Sequence, residues 1–456
     1  MSNIDQSKSA SRHGDLTTGN LTSHLIRLSG PMTWGILMVV GFQLVDTYFV
    51  SLLGGEKLAA FTFTFPVTYF IFSFIMGFSI ATSSVISRLI GENAQDIVRR
   101  VVSHAIILVI IASLILTALG LAGHDAIFSL LGASPDMMPM ISNYMTLWFW
   151  GAVFVSAPMV ANAAMRAAGD AMTPALIMTA AMVVNIVLDP IMIFGLFGFP
   201  RMELAGAALA TVIANAGAFI MGAYVLYRQK KILCPKACVS FHGFKDSAKR
   251  ILTIALPVGV TNTVQPIVNS LIIALLAKTS IDAVTAFGIA TRIEAFAFVI
   301  LMGLAVGMGP ILGQNFGSGK FDRVDDTVKK AINFNLIWSA LIAVILALLA
   351  SPIAKLFSDD PAVIEYSVLF FLAVPVSYAF SNLLGGWAST FNALGKPQKS
   401  FMMIAVKFIV LLIPALYIGY HLDDVRGVFI AISAINIITG IAFHFYSRNE
   451  LKKLTA

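Results

Sequence analysis

Twelve runs of roughly 20 apolar residues decide what this chain can become. They lie at roughly 28 to 53, 58 to 84, 101 to 122, 139 to 165, 174 to 197, 204 to 227, 254 to 277, 284 to 311, 329 to 350, 364 to 391, 400 to 420 and 426 to 446. Inside hydrocarbon every backbone polar group must be satisfied within the protein, and apolar runs of this length do so as helices. The expected fold is therefore an all-α integral membrane protein of twelve transmembrane helices. A composition of 58% hydrophobic and 12% charged residues excludes a soluble core.

Lysine and arginine placement orients the spans, because positive loops stay in the cytoplasm. With both termini on one side, that side carries 23 of the 30 Lys and Arg and the opposite face only Lys57, Arg201, Lys278, Lys355 and Arg426. Both termini are expected to be cytoplasmic, in a multi-pass protein of the cytoplasmic (inner) membrane. The net charge of +7 then reads as topology, and no nucleic-acid partner is expected. The densest basic patch, Arg228 to Arg250, is placed to touch anionic lipid heads. It also holds Cys234 and Cys238, which a reducing compartment keeps as free thiols.

An internal repeat supplies the organisation. A shift of 226 residues superposes Pro31 on Pro257, Ala60 on Ala286, Phe61 on Phe287, Gly77 on Gly303, Gly91 on Gly317, Asp96 on Asp322 and Gly169 on Gly395. Further on, a shift of 221 pairs Gly206 with Gly427, Ala210 with Ala431 and Asn215 with Asn436. Each unit has an even number of spans, so the halves share one orientation and form two parallel lobes around a central cavity. The expected division is a disordered cytoplasmic tail over 1–24, an N-lobe of helices 1–6 over 25–228, and a cytoplasmic linker over 229–250. A C-lobe of helices 7–12 follows over 251–447, then a cytoplasmic C-terminus over 448–456.

The repeat also shows what is not shared. Asp46 maps to Ile272, Asn185 to Leu411, Asp189 to Ala415 and Thr211 to Ile432, so four polar residues of the N-lobe face apolar counterparts. An acid inside a span costs several kcal/mol unless it has a partner, a wet cavity or a function. Asn185 and Asp189 sit at i and i+4 on one helical face, and Pro190 frees the carbonyl of Ile186 and should distort the helix. Acid, amide and carbonyl together resemble a proton or cation site. Asp46 lies in an unusually polar patch with Gln43 and Tyr48, which are supporting or cavity-lining candidates, as is Asn215, although its match to Asn436 reads as scaffold.

Three further charges lie within spans. Arg292 and Glu294 read first as a structural ion pair or a snorkelling arginine, with a gating role next. Lys407, which maps to Ala181, either lines the cavity or pairs with Glu294. His104, at the head of the third span, reads as interfacial. Most methionines and phenylalanines are packing or lipid-facing, a minority on spans 1, 2, 7 and 8 lining a cavity for flexible, aromatic or cationic guests. No Walker loop, zinc helix, nucleophile elbow or dinucleotide fingerprint is present. The chain is thus not expected to be an enzyme or to carry a cofactor, and its driving energy must come from an ion gradient.

The stretch from Pro31 to Phe61 with Val45-Asp46-Thr47, the run Asn185-x-x-Leu188-Asp189-Pro190, Gly206-Ala207-Ala208-Leu209-Ala210-Thr211 and Pro310-Ile311-Leu312-Gly313-Gln314-Asn315 together resemble the multidrug and toxic compound extrusion (MATE) family. The resemblance covers Leu25 to about Phe445 and is closest to the DinF-type branch. It implies alternating access and multidrug efflux by antiport, exporting cationic or amphipathic drugs in exchange for protons or sodium, with drug resistance as the outcome. It carries the proton- or cation-coupling role to Asp46, Asn185, Asp189 and Thr211, which also form the candidate Na+ ligand set. NorM-type members have C-lobe acids on helices 7 and 10, and Thr261 to Leu276 and Ser377 to Phe391 contain none.

In the mechanism this suggests, Asp46 and Asp189 cannot both ionise easily and exchange protons, and the first span bends near a Pro31 hinge to expel the cargo, with Pro190 a second hinge. Sodium is the competing ligand. Two rivals stand beside this reading: a lipid or polysaccharide-precursor flippase of the same superfamily, for which Lys407 and Arg292 are few cations, and an intramembrane enzyme, for which histidine is too sparse. Two complete lobes in one chain permit a working monomer.

Overall fold

The computed structural model describes residues 14–240 and 242–455, the side chains of 238–240 excepted, so residues 1–13 of the expected tail and the Cys238 thiol lie outside it. Among the described residues, eleven continuous helical segments are long and apolar enough to cross a membrane. They are α1 (Leu21–Ser51), α2 (Gly55–Gly91), α3 (Gln95–Leu130), α4 (Met138–Ala167), α5 (Met172–Phe194), α6 (Leu204–Gln229), α7 (Phe244–Leu276), α8 (Ile281–Gly317), α9 (Phe321–Leu348), α10 (Pro361–Ala393) and a final segment, Pro397–Thr455.

That final segment is two spans. Its helix breaks at Asp423 and Asp424, where φ/ψ are −156/43° and 39/−122°. Gly419 and Gly427 come so close across the break that a Cβ on either would land on the other's carbonyl. In an unbroken helix they would lie about 12 Å apart, so the chain doubles back into α11 (397–422) and α12 (425–455). The twelve expected spans are all present, and most helices run beyond their apolar runs.

The helices pack into two six-helix lobes, α1–α6 and α7–α12, that share core on one side only. One apolar cluster holds the N-lobe core together with Ile251, Ile254, Ala255 and Val258 of α7. A second joins Leu25, Leu28 and Met32 of α1 to Met308, Ile311 and Leu312 of α8. The third, from Val268 to Phe429, belongs to the C-lobe alone. Glycines mark the junction, which lies in the half nearer the chain termini: Gly303 meets Thr33, Gly307 meets Ser29, Gly77 meets Ala255 and Gly259, and Gly313 meets Ser87. In the other half Tyr48, Tyr69, Phe70 and Phe296 are exposed. The lobes thus close toward the face carrying the termini and leave a cleft open to the opposite face.

Residues 14–24, expected to be disordered, are ordered. Leu16 is 0% exposed. Its N–H donates to Gln314 Oε1 at 3.1 Å and its carbonyl accepts from Asn315 Nδ2 at 3.1 Å and Arg323 at 3.2 Å. Gln314 Nε2 donates to the Ala167 carbonyl at 2.8 Å, and the Gly14 N–H donates to the Ala168 carbonyl at 3.0 Å. Asn20 caps α1 through the N–H groups of Thr22 and Ser23. The polar composition of this stretch resembled a free tail because its partners are loop carbonyls and side chains of both lobes, which no local pattern reveals.

Candidate coupling site

Three N-lobe helices bring the expected polar set together. α1 lies against α5 along the face of Gly35 and Gly41, which meet Met178 and Met182. Asp46 is eleven residues beyond Gly35, about 20° around the helix, and so points into the N-lobe. From α5 come Asn185 and Asp189 on adjacent turns, and from α6 comes Thr211. Asp46 is 7% exposed and Asp189 0%. Each acid lies in the other's electrostatic field.

The Asn185 amide holds the arrangement. With the rotamer that satisfies both ends, its nitrogen donates to Asp189 Oδ2 at 3.0 Å and its oxygen accepts from the Thr211 N–H at 3.1 Å. One oxygen of each acid, Asp46 Oδ1 and Asp189 Oδ1, is buried without a hydrogen-bond partner. Leaving such an atom unmet costs about 1–3 kcal/mol for a neutral group and more for a charged one. A proton on either acid, or a small cation held by it, would meet such an atom. In the C-lobe the counterpart of Asp46, Ile272, sits in apolar core.

Tyr144 on α4 escaped sequence reasoning. It is buried, lies edge-on to Phe61 at 5.4 Å, and feels the charge of both Asp46 and Asp189. Only the density of aromatics around it, Trp148, Phe149 and Trp150, is visible in the sequence, and that reads as packing.

The other candidates fall elsewhere. Gln43 and Tyr48 are exposed on α1, about 140° apart around the helix; Gln43 Oε1 accepts weakly from the Tyr69 hydroxyl at 3.4 Å. Asn215 donates to the Thr211 carbonyl one turn back at 2.9 Å, a contact within its own helix. α1 is continuous through Pro31, and α5 continues helical past Pro190 to Phe194 before ending at Gly195, where φ is +75°. The expected distortion at Pro190 is therefore confined to the lost hydrogen bond.

Arg292 and Glu294 do not pair. Two residues along a helix is about 200°, so they leave α8 on opposite sides. Glu294 faces the Tyr378 hydroxyl, near enough to interact but outside in-line hydrogen-bond geometry. Lys407 does not reach Glu294 either: it is buried within a π-helical stretch, Val406–Leu412, and its Nζ donates to Ser381 Oγ at 2.9 Å. His104 is fully buried, its Nε2–H donating to the Ala237 carbonyl at 3.2 Å and its Nδ1 accepting from Ser247 at 2.9 Å, so it fastens the linker to α3 and α7.

Two lobes of parallel topology, a cleft between them and buried acids in one lobe define a polytopic membrane transporter. The chain belongs to the MatE family, whose model matches residues 31–191 and again 257–418. The two matches start 257 − 31 = 226 residues apart, the offset of the internal repeat. It is similar to an FAD transporter of Shewanella oneidensis, 34% identical over 445 residues and 98% of each chain. It also resembles the multidrug export protein MepA of Staphylococcus haemolyticus, 28% identical over 89% of this chain and 88% of the other. Among solved structures, the Vibrio cholerae MATE transporter VcmN in the bent form superposes with a TM-score of 0.90 at 26% identity, covering 98% of this chain and 99% of that one.

Proposed function

We propose that the chain is a secondary active exporter that exchanges protons for an aromatic, amphipathic organic cargo by alternating access. The observation that carries the reading is the pair of buried, unpartnered carboxylate oxygens of Asp46 and Asp189, with Asp189 held by the Asn185 amide, which in turn meets Thr211, all in the N-lobe. Sodium competes for the same hard oxygens. The cluster matches what the DinF-type branch uses, and the basic face with both termini is read as cytoplasmic, in the inner membrane.

For the cargo, the whole-length relative named as an FAD transporter favours a flavin dinucleotide over a simple cation. The exposed aromatics of the cleft suit its flat rings. Export of cationic or amphipathic drugs is the second reading, supported by the multidrug export relatives. The test is flux in liposomes holding the purified protein, with FAD or ethidium as cargo and a proton or a sodium gradient imposed separately. The reading expects the cargo to be driven against its own gradient when the proton gradient is imposed; flux indifferent to both ions overturns it.

A further inference from the structure

We propose that Arg292 is the anion-recognising residue of the transport cleft and selects cargo that carries a phosphate. The inference deepens the cargo reading above and rests on it. Its position follows from register. α1 and α8 are antiparallel neighbours, with Ser29 against Gly307 and Thr33 against Gly303. Stepping eleven residues back along α8 from Gly303 reaches Arg292, about 20° away around the helix and about 16 Å deeper into the open half. The matching step along α1, from Thr33, reaches Leu44. Arg292 therefore faces the N-lobe across the cleft, at the level of Leu44 and one turn or less from Asp46.

At that depth a charge without a partner is costly, and Arg292 is exposed. Among the described residues every other intramembrane cation near the cleft has a hydroxyl or carbonyl to hold: Lys407 binds Ser381, and Arg166 binds Ser79. Among the described residues Arg292 makes no ion pair within 4 Å, and its nearest charged neighbour in sequence, Glu294, points to the far side of α8 toward Tyr378. One turn on, Phe296 lies on the same face and is 48% exposed, and Tyr48 stands 60% exposed on α1. A planar fork of donors beside two exposed rings is the donor set for a phosphate attached to an aromatic system. Asp46, turned to the other side of α1, handles the coupling ion while Arg292 meets the cargo.

The test is equilibrium binding to the detergent-solubilised full-length protein, read by flavin fluorescence, of riboflavin, its monophosphate and FAD. The wild type is expected to bind the two phosphate-bearing flavins about tenfold or more tightly than riboflavin. Arg292→Gln should erase that preference and leave riboflavin binding unchanged, and Arg292→Lys should retain part of it. A preference that survives in Arg292→Gln overturns the proposal, as does equal loss of riboflavin binding, which would make Arg292 structural. If the wild type binds no flavin, the cargo reading falls. The same titration with naphthyl phosphate against naphthol then decides Arg292 by itself, equal affinities in wild type and variant counting against it.

Discussion

Asp46→Asn and Asp189→Asn each remove a carboxylate while keeping its size, and each is expected to lower gradient-driven flux at least about 100-fold, as loss of an essential proton carrier does. Asn185→Ala removes the amide that holds Asp189 and links it to Thr211, so a partial loss of about tenfold is expected in the same assay. Tyr144→Phe keeps the edge-on contact with Phe61 and deletes only the hydroxyl. It should cut flux several-fold, about 3 to 10, and displace the pH profile of transport while leaving the melting temperature of the purified protein in place. The acids, the amide and Thr211 were legible because a polar residue inside an apolar run costs free energy and because the repeat offers an apolar control for each. Tyr144 was illegible because a tyrosine among aromatics costs nothing there. The Arg292–Glu294 pair was misread although helix geometry alone separates i from i+2.

Elements are held at their ends by groups outside the apolar runs. Asp170, in the loop between α4 and α5, binds Lys230 at 2.6 Å and accepts from the Thr173 N–H at 3.0 Å and the Thr173 hydroxyl at 2.7 Å. Burial opposes the ionised carboxyl, but the lysine and the two Thr173 donors outweigh it and hold Asp170 below its ordinary 3.8. A depressed folded value means the stabilisation is present above pH 3.8 and fades as pH falls through the folded value. Asp170→Asn should therefore cost about 1–2 kcal/mol at pH 7 in thermal unfolding, and the gap to wild type should narrow as pH falls below 3.8. At the α11–α12 turn, Gly427→Leu drives a side chain into the Gly419 backbone. It is expected to cost about 3 kcal/mol or more and to show as loss of monodisperse protein on gel filtration. The number and order of helices were readable from apolar length, and their true ends were not, because polar residues continue the helices past the hydrocarbon.

At the scale of the molecule, the repeat established two lobes, but only tertiary contacts show which end is shut. The segment around Leu16 joins the α4–α5 loop to the corner between α8 and α9, so it bridges both lobes on the closed side. For the cleft to open toward the termini, that bridge must release. Leu16→Asp places a charge in a fully buried site and should favour the opposite opening. A Thr33→Cys probe, with Cys234 and Cys238 replaced by Ser, should then react with a maleimide about fivefold faster than in the Leu16 parent. The central claim is that cargo and protons move in exchange through the N-lobe acids. The most direct measurement loads proteoliposomes with cargo, imposes no ion gradient, and follows luminal pH as the cargo flows out. The account predicts proton entry opposite to the cargo, abolished in Asp46→Asn and in Asp189→Asn. Proton movement that persists in either variant, or cargo efflux with no pH change in the wild type, would contradict it.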